Sequence, residues 1–227
     1  GGIRGDRQGL CGEVHVDQWG PAPAAAPRDK EQRSTSALGD FDFDVDASNV
    51  SLRARHEGKL AGAANLLTVG VDTQRWTRDI LGPFGARATQ TNRGECVRDD
   101  LTLPSGPRLS AGWRTERVRK ANFAVPATSL RDRLHAWELG ASHPVLEDVT
   151  LYGRVGRSFR LANVDEFSFT TPGVTLQPQT SRDTEVGARW EHDDGSVDLR
   201  VFRSELEDEI GFDPAGVATF WMWLPGA

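Results

Sequence analysis

Hydrophobic and polar residues alternate with a period of two along most of the chain from Gly39 onward. Such alternation predicts β-strands with one apolar and one polar face, because successive side chains of a strand point to opposite sides. The apolar members are Phe41, Phe43 and Val45; Val50, Leu52 and Ala54; Leu67, Val69 and Val71; Leu109, Ala111 and Trp113; Trp137, Leu139 and Ala141; Leu151, Gly153 and Val155; Val186, Ala188 and Trp190; and Val197, Leu199 and Val201. With a weaker run near residues 89–98, the pattern predicts about eight or nine strands.

The connections between these strands fall into two length classes. Short connections are predicted near residues 57–64, 99–107, 142–148 and 193–196, the last being a good hairpin turn, Asp193-Asp194-Gly195-Ser196. Longer connections are predicted near 77–88, 119–132 and 159–180. In an antiparallel meander every second connection lies at the same end, so one end has short turns and the other has long loops. Outer-membrane barrels show that asymmetry, and we therefore expect sequential strands to pair with no helical layer and no parallel crossover.

The polar faces of the later strands carry many ionised groups. Alternation places Glu138, Arg154, Glu185, Arg189, Asp198 and Arg200 side by side on one face. Burial of such groups in a dry core costs several kcal/mol for each unpaired ion, whereas a water-filled lumen avoids that cost. A soluble β-sandwich whose charged faces are its outer surface explains the alternation equally well. The alternation alone does not decide between a barrel and a sandwich.

The N-terminal residues 1–37 lack this alternation. They are Gly-rich at the start, then Pro-rich and Ala-rich over residues 21–27, and then charged over residues 28–31. A strand over residues 13–17 is possible, and the remainder is predicted to be irregular.

Composition narrows the class of protein. The net charge of −6 and the pI near 5.4 argue against binding to a nucleic-acid backbone. No stretch approaches the roughly 20 apolar residues of a spanning helix, and we recognise no charged start followed by an apolar run and a small-residue cleavage site. A mean hydropathy of −0.48 is compatible with a transmembrane barrel, whose strands alternate polar and apolar residues.

The candidate chemical groups give no enzyme signature. The five histidines are scattered, and we expect no catalytic residue, no metal site and no cofactor. The alternating run Asp40, Asp42, Asp44 and Asp46 lacks the glycine and glutamate of a calcium loop. It is interpreted as a lumen-facing acidic stripe balanced by Arg53 and Arg55 on the next strand.

Cys11 and Cys96 are taken as incidental. Trp76, Trp113, Trp137 and Trp190 are assigned to aromatic belts at the membrane interfaces.

Residues 151–210 carry an ordered series of short elements. They are Ser158-Phe159-Arg160 with Asp165 and Glu166 after it, then Leu176-Gln177-Pro178-Gln179-Thr180-Ser181, then Glu185-Val186-Gly187, then a hairpin and a strand that ends in Asp208-Glu209-Ile210. This series resembles the barrel of TonB-dependent outer-membrane receptors. Each element alone is weak, whereas four in order at plausible spacing are specific. Gln179 departs from the family, which usually has Glu at that place.

The resemblance implies a fold, a location and a set of partners. It implies an all-β antiparallel meander that forms part of a transmembrane barrel of 22 strands in the family. The function implied is energised uptake of a scarce nutrient, such as a ferric siderophore or cobalamin, across the outer membrane of a Gram-negative bacterium. The implied partners are TonB, acting through a plug domain, the ligand and outer-membrane lipid. No covalent chemistry is implied.

The resemblance covers about residues 38–217. We therefore expect residues 1–37 to be an irregular segment, residues 38–217 to be an incomplete receptor barrel, and residues 218–227 to be a tail foreign to the pattern. No plug, TonB-contacting segment or full strand set is recognisable, so the chain is interpreted as an internal piece of a barrel. Glu138, Arg154, Arg189, Asp198 and Arg200 are predicted to face the lumen, and the ligand contacts stay open. The alternatives are a soluble β-sandwich binding or adhesion module and an outer-membrane barrel enzyme.

Overall fold

The computed structural model describes residues 24–36, 39–81, 86–122, 128–162, 176–193, 195–212 and 221–224. Its strands are β1 (Ala24–Ser36), β2 (Gly39–Leu60), β3 (Ala63–Leu81), β4 (Ala86–Thr102), β5 (Arg108–Asn122), β6 (Thr128–Leu146), β7 (Val149–Arg160), β8 (Gln179–His192), β9 (Gly195–Glu207), β10 (Glu209–Phe212) and β11 (Trp221–Leu224). None of the described residues forms a helix, so this part of the chain contains no helical membrane span.

The first nine strands form one sheet in sequence order. Each strand from β1 to β8 pairs antiparallel with the next, and β10 pairs with β11 in a separate two-stranded sheet. The predicted antiparallel meander without parallel crossovers is confirmed. Because adjacent strands are also adjacent in sequence, every backbone ladder is built by a local hairpin.

The two ends of the sheet differ as predicted, although less strongly. At one end, here called the turn end, β2 and β3 are joined by residues 61–62, β4 and β5 by residues 103–107, and β6 and β7 by residues 147–148. At the other end, the loop end, residues 161–178 separate β7 from β8. The connections predicted at 77–88 and 119–132 are shorter, since β3 ends at Leu81 and β6 begins at Thr128. Polar strand residues continue the hydrogen-bonded ladder well beyond the apolar stretches.

Four sequence-based expectations about strands need correction or restriction. The prediction that residues 24–36 are irregular is wrong, because they form β1, whose ladder with β2 is continuous over the whole strand. The two strands predicted around Val45 and Val50 are one strand, β2, because no turn interrupts its register with β3. Within the expected foreign tail, residues 221–224 pair with β10 as β11. The possible strand at 13–17 lies outside the described residues.

The two faces of the sheet sort as the alternation predicts. The residues placed together on the apolar face are Leu67, Val69, Val71, Val186, Ala188, Trp190, Leu199 and Val201. The opposite face, called the charged face, contains Arg154, Glu185, Arg189, Asp198 and Arg200. Directly paired residues of antiparallel strands point to the same side, so the continuous register settles this assignment.

Two predicted face assignments are wrong. Trp76 is directly paired with Gln90 and lies on the charged face, so it cannot belong to a lipid-facing aromatic belt. Asp44 and Asp46 lie on the apolar face, opposite to the face of Arg53 and Arg55. The cause is the uninterrupted β2 strand: without a turn near residue 48, the even positions of its two halves share one side.

The apolar residues form a band that slants across the sheet. The row of directly paired residues that begins at Ala54 on β2 ends at Glu205 on β9, so the level of Leu52, two residues nearer the loop end, corresponds to Glu207. The apolar stretch of β9 is centred on Leu199, about eight residues nearer the turn end. At about 3.3 Å per residue, this shift is roughly 26 Å along the strands. The steps from β2 to β9, at about 4.8 Å each, add up to roughly 34 Å across the sheet, so the band slopes at about 38°. Strands of transmembrane barrels tilt by about 35–45°, so a band at this slope lies level in a membrane.

The expectation that both cysteines are incidental is wrong for Cys96. Its side chain is buried on the charged face and is disulfide-bonded. The chain's other cysteine, Cys11, lies outside the described residues. Gly70 pairs directly with Cys96, and a Cβ at that position would approach the Cys96 sulfur to 3.0 Å. The glycine therefore leaves room for the sulfur above β3.

The apolar face predicts how the 227-residue chain behaves in water. Val186, Leu199 and Val201 are 58%, 72% and 69% exposed, and no second sheet covers them in the described part of the chain. Contiguous apolar surface and long sheet edges recruit other chains. We expect the purified chain to aggregate without detergent and to become monodisperse in micelles, as measured by light scattering. A cooperatively melting monomer in plain buffer would contradict the membrane assignment of this face.

Candidate functional site

The charged face carries a chain of ion pairs that crosses five strands. Arg98 on β4 binds Asp100 through Nε at 2.8 Å and reaches Glu138 on β6 through Nη1 at 3.2 Å. Glu138 lies 4.0 Å from Arg154 on β7, whose Nη2 is 3.4 Å from Glu185 on β8. Glu138 is thus placed between the guanidinium groups of Arg98 and Arg154, while Asp100 and Glu185 each bind one of these two arginines. This arrangement keeps acidic and basic groups ordered on a surface that stays accessible to water.

A second ion-pair group lies nearer the first strands. Arg114 on β5 donates from Nη1 and Nη2 to the two carboxylate oxygens of Asp72 on β3, each at 2.8 Å. Its Nη2 also donates to Glu116 at 2.8 Å. The side chains of Arg114, Asp72 and Glu116 are only 17%, 16% and 10% exposed, so this group is better shielded than the chain described above. Bidentate guanidinium–carboxylate geometry fixes the orientation of both partners.

Gly94 makes this reach across β4 possible. It lies between Asp72 and Glu116 in one row of directly paired residues. A Cβ at Gly94 would lie 2.2 Å from Arg114 Nη2 and 2.7 Å from Asp72 Oδ1. Glycine inside a strand commonly marks a site of close approach. Here it opens the gap through which the guanidinium passes over the middle strand.

Gly187 on β8 likewise leaves space for a side chain that crosses its strand. Tyr152 on β7 extends over Gly187, where a Cβ would lie 2.5 Å from the phenol oxygen, and donates its hydroxyl to Asp198 on β9 at 2.7 Å. Asp198 also accepts from Arg189 Nε at 3.1 Å. The glycine of the Glu-x-Gly element therefore has a steric role, which is to admit an aromatic ring between two strands.

The loop end holds a small buried cluster. Ala162, Leu176 and Ile210 pack together, and the backbone N–H of Ile210 donates to Gln179 Oε1 at 3.3 Å. The Lys120 ammonium, buried on the charged face, donates to the carbonyl oxygen of Ala162. These contacts attach the residues that flank the 161–178 connection to β5 and β10.

Asp132 on β6 lies close to this cluster, in the part of the strand beyond the apolar band. Burial raises the pKa of its carboxyl above the ordinary value, and the nearby Lys120 charge opposes that rise. Its Oδ2 atom is buried without a hydrogen-bond partner among the described residues.

The structure brings some residues of the family-like elements together. Ser158 Oγ lies 2.7 Å from Ser181 Oγ, and Ser181 donates to Asp183 at 2.9 Å. Phe159 is directly paired with Thr180, and Arg160 ends β7. Pro178 directly precedes β8, and Asp208 has a positive φ of 58° where the chain passes from β9 to β10. Asp165 and Glu166 lie outside the described residues.

Sequence reasoning missed the most ordered part of the charged face. Asp72, Arg114 and Glu116 were not singled out, because their stretches contain alternating charges like many others. The available signal was Gly94, an isolated glycine within the weak run at residues 89–98. The run is predicted as a strand, but its register is not: only the pairing of Gly94 with Asp72 and with Glu116 places Asp72 and Arg114 across it.

The charged face offers groups that can bind a polar solute. Its side chains are guanidinium, carboxylate, hydroxyl and amide groups whose partners are mostly each other. Within the described ranges, no three residues of the metal-ligating types come together. The arrangement can attract and orient a polar solute in water.

We expect Gly94→Ala to disrupt the Asp72–Arg114 pair, because the new methyl group occupies the path of the guanidinium. Breaking charged hydrogen bonds of this kind costs about 2 kcal/mol. The measurement is the thermal midpoint of the chain in detergent micelles, followed by circular dichroism in the β region. Gly195→Ala is the matched control, since a Cβ there meets nothing within 4 Å. Equal midpoints for the two variants would show that the pair does not depend on Gly94.

Comparisons with known proteins agree with this architecture. Residues 13–222 match the family model described as TonB dependent receptor-like, beta-barrel. The probable hemoglobin and hemoglobin-haptoglobin-binding protein 4 of Haemophilus influenzae is 24% identical over 128 residues, which are 49% of this chain and 13% of that protein. The vitamin B12 transporter BtuB of Vibrio vulnificus is 27% identical over 88 residues, which are 38% of this chain and 14% of that protein.

Solved structures show the same fold. The alcaligin outer-membrane receptor FauA of Bordetella pertussis superposes with a TM-score of 0.71 at 14% identity, over 90% of this chain and 38% of that one. The ferric-catecholate import receptor Fiu of E. coli K12 gives a TM-score of 0.65 at 14% identity, over 80% and 34%. The chain thus spans about a seventh of these curated relatives and just over a third of these receptor structures. The family match covers most of the chain, and the chain belongs to the β-barrel family of TonB-dependent receptors.

Proposed function

We propose that this chain forms part of the barrel wall of an outer-membrane receptor in a Gram-negative bacterium. The receptor takes up a scarce nutrient, such as a ferric siderophore or cobalamin, with energy delivered by TonB through a plug domain. The observation that carries the proposal is the two-faced sheet of a receptor-family barrel: a level apolar band on one side and ordered ion pairs on the other. A wall between lipid and water requires both faces at once, and across the described strands the apolar side chains stay exposed.

The charged face supplies the proposed lumen. Glu138, Arg154, Arg189, Asp198 and Arg200 face the water-filled interior in this proposal, where acidic and basic groups share solvent. Polar solutes that pass such a wall meet fixed charges of both signs instead of an apolar surface. The role of these residues is to attract and guide the ligand, and no covalent step is involved.

The family-like elements at the loop end have a different role in the proposal. Ser158, Phe159 and Arg160 end β7, while Pro178 precedes β8. The contacts of Ile210 and Gln179 hold the two ends of the 161–178 connection near the sheet. We assign to these residues the support of an external loop that contributes to the ligand vestibule. Asp165, Glu166, Glu185, Gly187 and Asp208 complete the same set of elements.

The soluble β-sandwich is the less supported alternative. A sandwich buries its apolar face against a second sheet and uses Greek-key connections. Here nine strands pair strictly in sequence order, and their apolar side chains stay exposed across the described strands.

Uptake by living cells tests the proposal. Deleting the gene in the bacterium that encodes this chain should abolish uptake of radiolabelled ferric siderophore or of radiolabelled cobalamin. A protonophore should abolish the same uptake in the parent strain, because transport depends on inner-membrane energy. Glucose uptake through porins is the control and should not change. Normal uptake of both ligand classes in the deletion strain, with the chain absent from the outer-membrane fraction, would overturn the proposal.

A further inference from the structure

Arginines on the apolar face all lie on one side of the apolar band. On strands β3–β9 the face is shared by ten of them: Arg75, Arg87, Arg93, Arg117, Arg119, Arg131, Arg133, Arg157, Arg182 and Arg203. Every one lies between the band and the loop end. Between the band and the turn end, the described positions of β2–β9 on this face contain neither arginine nor lysine.

Seven of these arginines follow the slope of the band. The apolar stretches of β3–β9 are centred on Val69, Asp99, Ala111, Leu139, Gly153, Ala188 and Leu199. Each of the seven strands has an arginine about four to six residues from its centre towards the loop end. These residues, here called the arginine belt, are Arg75, Arg93, Arg117, Arg133, Arg157, Arg182 and Arg203. A belt parallel to the slanted band lies at a constant depth in a membrane.

The belt brings like charges into direct pairing. Arg117 on β5 is directly paired with Arg93 on β4 and with Arg133 on β6, and Arg157 is directly paired with Arg182. Directly opposed like charges destabilise a sheet. A stabilising partner therefore has to be an anion that bridges neighbouring strands.

Acidic side chains of the described residues compensate little of this charge. Arg117 has Glu95 at 4.0 Å, with both side chains 56% exposed, and Arg203 has Glu205 at 2.6 Å. Exposed pairs of this kind contribute little to stability. The centre of the belt, at Arg93, Arg117 and Arg133, carries three guanidinium groups against one distant carboxylate.

Aromatic residues fix the level of the belt relative to the bilayer. Trp113 and Trp137 are directly paired at the loop-end edge of the band, and Trp113 stacks on His135 with ring centroids 5.7 Å apart. Tryptophans prefer the boundary between hydrocarbon and headgroups. Arg117 and Arg133 lie four residues beyond them, about 13 Å along the strands. With the strand tilt that is about 10 Å along the membrane normal, whereas the headgroup layer is about 5–8 Å deep. The backbone of the belt therefore lies at the outer margin of this layer, and the long arginine side chains reach back to the phosphates.

We propose that the arginine belt binds the phosphate groups of an anionic lipid in the membrane leaflet at the loop end. Guanidinium groups bind phosphate oxygens in a bidentate manner, and long arginine stems allow the charge to reach the headgroup region. Three adjacent strands span about 10 Å, which matches a headgroup that carries more than one phosphate. The inference rests on the membrane placement of the proposed function, but it is independent of the transported nutrient.

Lipid binding by the complete 227-residue chain in neutral detergent micelles tests the proposal. Native mass spectrometry measures the affinity for two probes, diphosphoryl lipid A and phosphatidylcholine. We expect the phosphorylated probe to bind at least about tenfold more tightly. Each arginine near an anionic surface contributes about a fivefold factor, so R117Q/R133Q should weaken this binding by about thirtyfold.

The matched control is R55Q/R108Q, which removes two exposed arginines from the charged face and changes the net charge equally. Its affinity should stay within about twofold of the unmodified chain. Equal losses in both double variants would show a net-charge effect and overturn the proposal, as would an unchanged affinity in R117Q/R133Q. The thermal midpoint of R117Q/R133Q without lipid should be equal or higher, since a repulsive pair is removed.

Free pyrophosphate distinguishes a lipid site from a site for soluble phosphates. At the same phosphate concentration as the lipid probe it should leave the lipid bound, because the acyl chains also contact the apolar band. Complete displacement by pyrophosphate would assign the belt to a soluble anion and overturn the lipid assignment. The result is separate from nutrient uptake, so failure of one proposal does not decide the other.

Discussion

Backbone hydrogen bonding inside a membrane is the constraint on which the rest of this structure depends. In hydrocarbon each unpaired N–H or C=O group costs several kcal/mol, so strands can cross only as members of a continuous ladder. The uninterrupted registers from β2 to β6 meet that requirement over the full length of the apolar band. Once the ladder is fixed, the pleat determines on which face each side chain lies, and only the type of residue at each position can still vary. Apolar residues are favoured on the side in contact with lipid, and paired charges are tolerated on the side in contact with water.

Packing on the charged face shows how such a wall can be ordered without a dry core. Large side chains such as Arg114 and Tyr152 lie over a neighbouring strand and end at a carboxylate two strands away. This geometry requires a missing Cβ on the strand between them, which Gly94 and Gly187 provide. The glycines therefore set which strands are cross-linked by side chains, in addition to the backbone ladder. Hydrogen bonds that lie parallel to the sheet therefore hold the side chains of the charged face in fixed positions.

Much of the fold could be predicted because alternation is a local signal. The strands that contain Val69, Trp113 and Leu199 follow from a period of two residues, and the parity of each strand fixes its faces. Errors arose where the prediction depended on where a strand stops. A presumed turn after Asp46 reversed the face assigned to Asp44 and Asp46, and the face of Trp76 was inferred from residue type instead of parity. Ion pairs such as Arg98–Glu138 join residues 40 positions apart, and their distances require the register between neighbouring strands.

The slanted band and the arginine belt have a consequence for the fidelity of strand pairing. Alternation alone rejects only slips by an odd number of residues, because an even slip keeps every side chain on its proper face. The position of the band along each strand removes this ambiguity. A slip of β5 by six residues towards the turn end would carry Arg117 to the level of Ala111 at the centre of the band, where a lipid-facing arginine costs about 2–4 kcal/mol. Depth-dependent solvation thus distinguishes registers that the hydrophobic pattern treats as equal, and the membrane itself selects the correct pairing of the sheet.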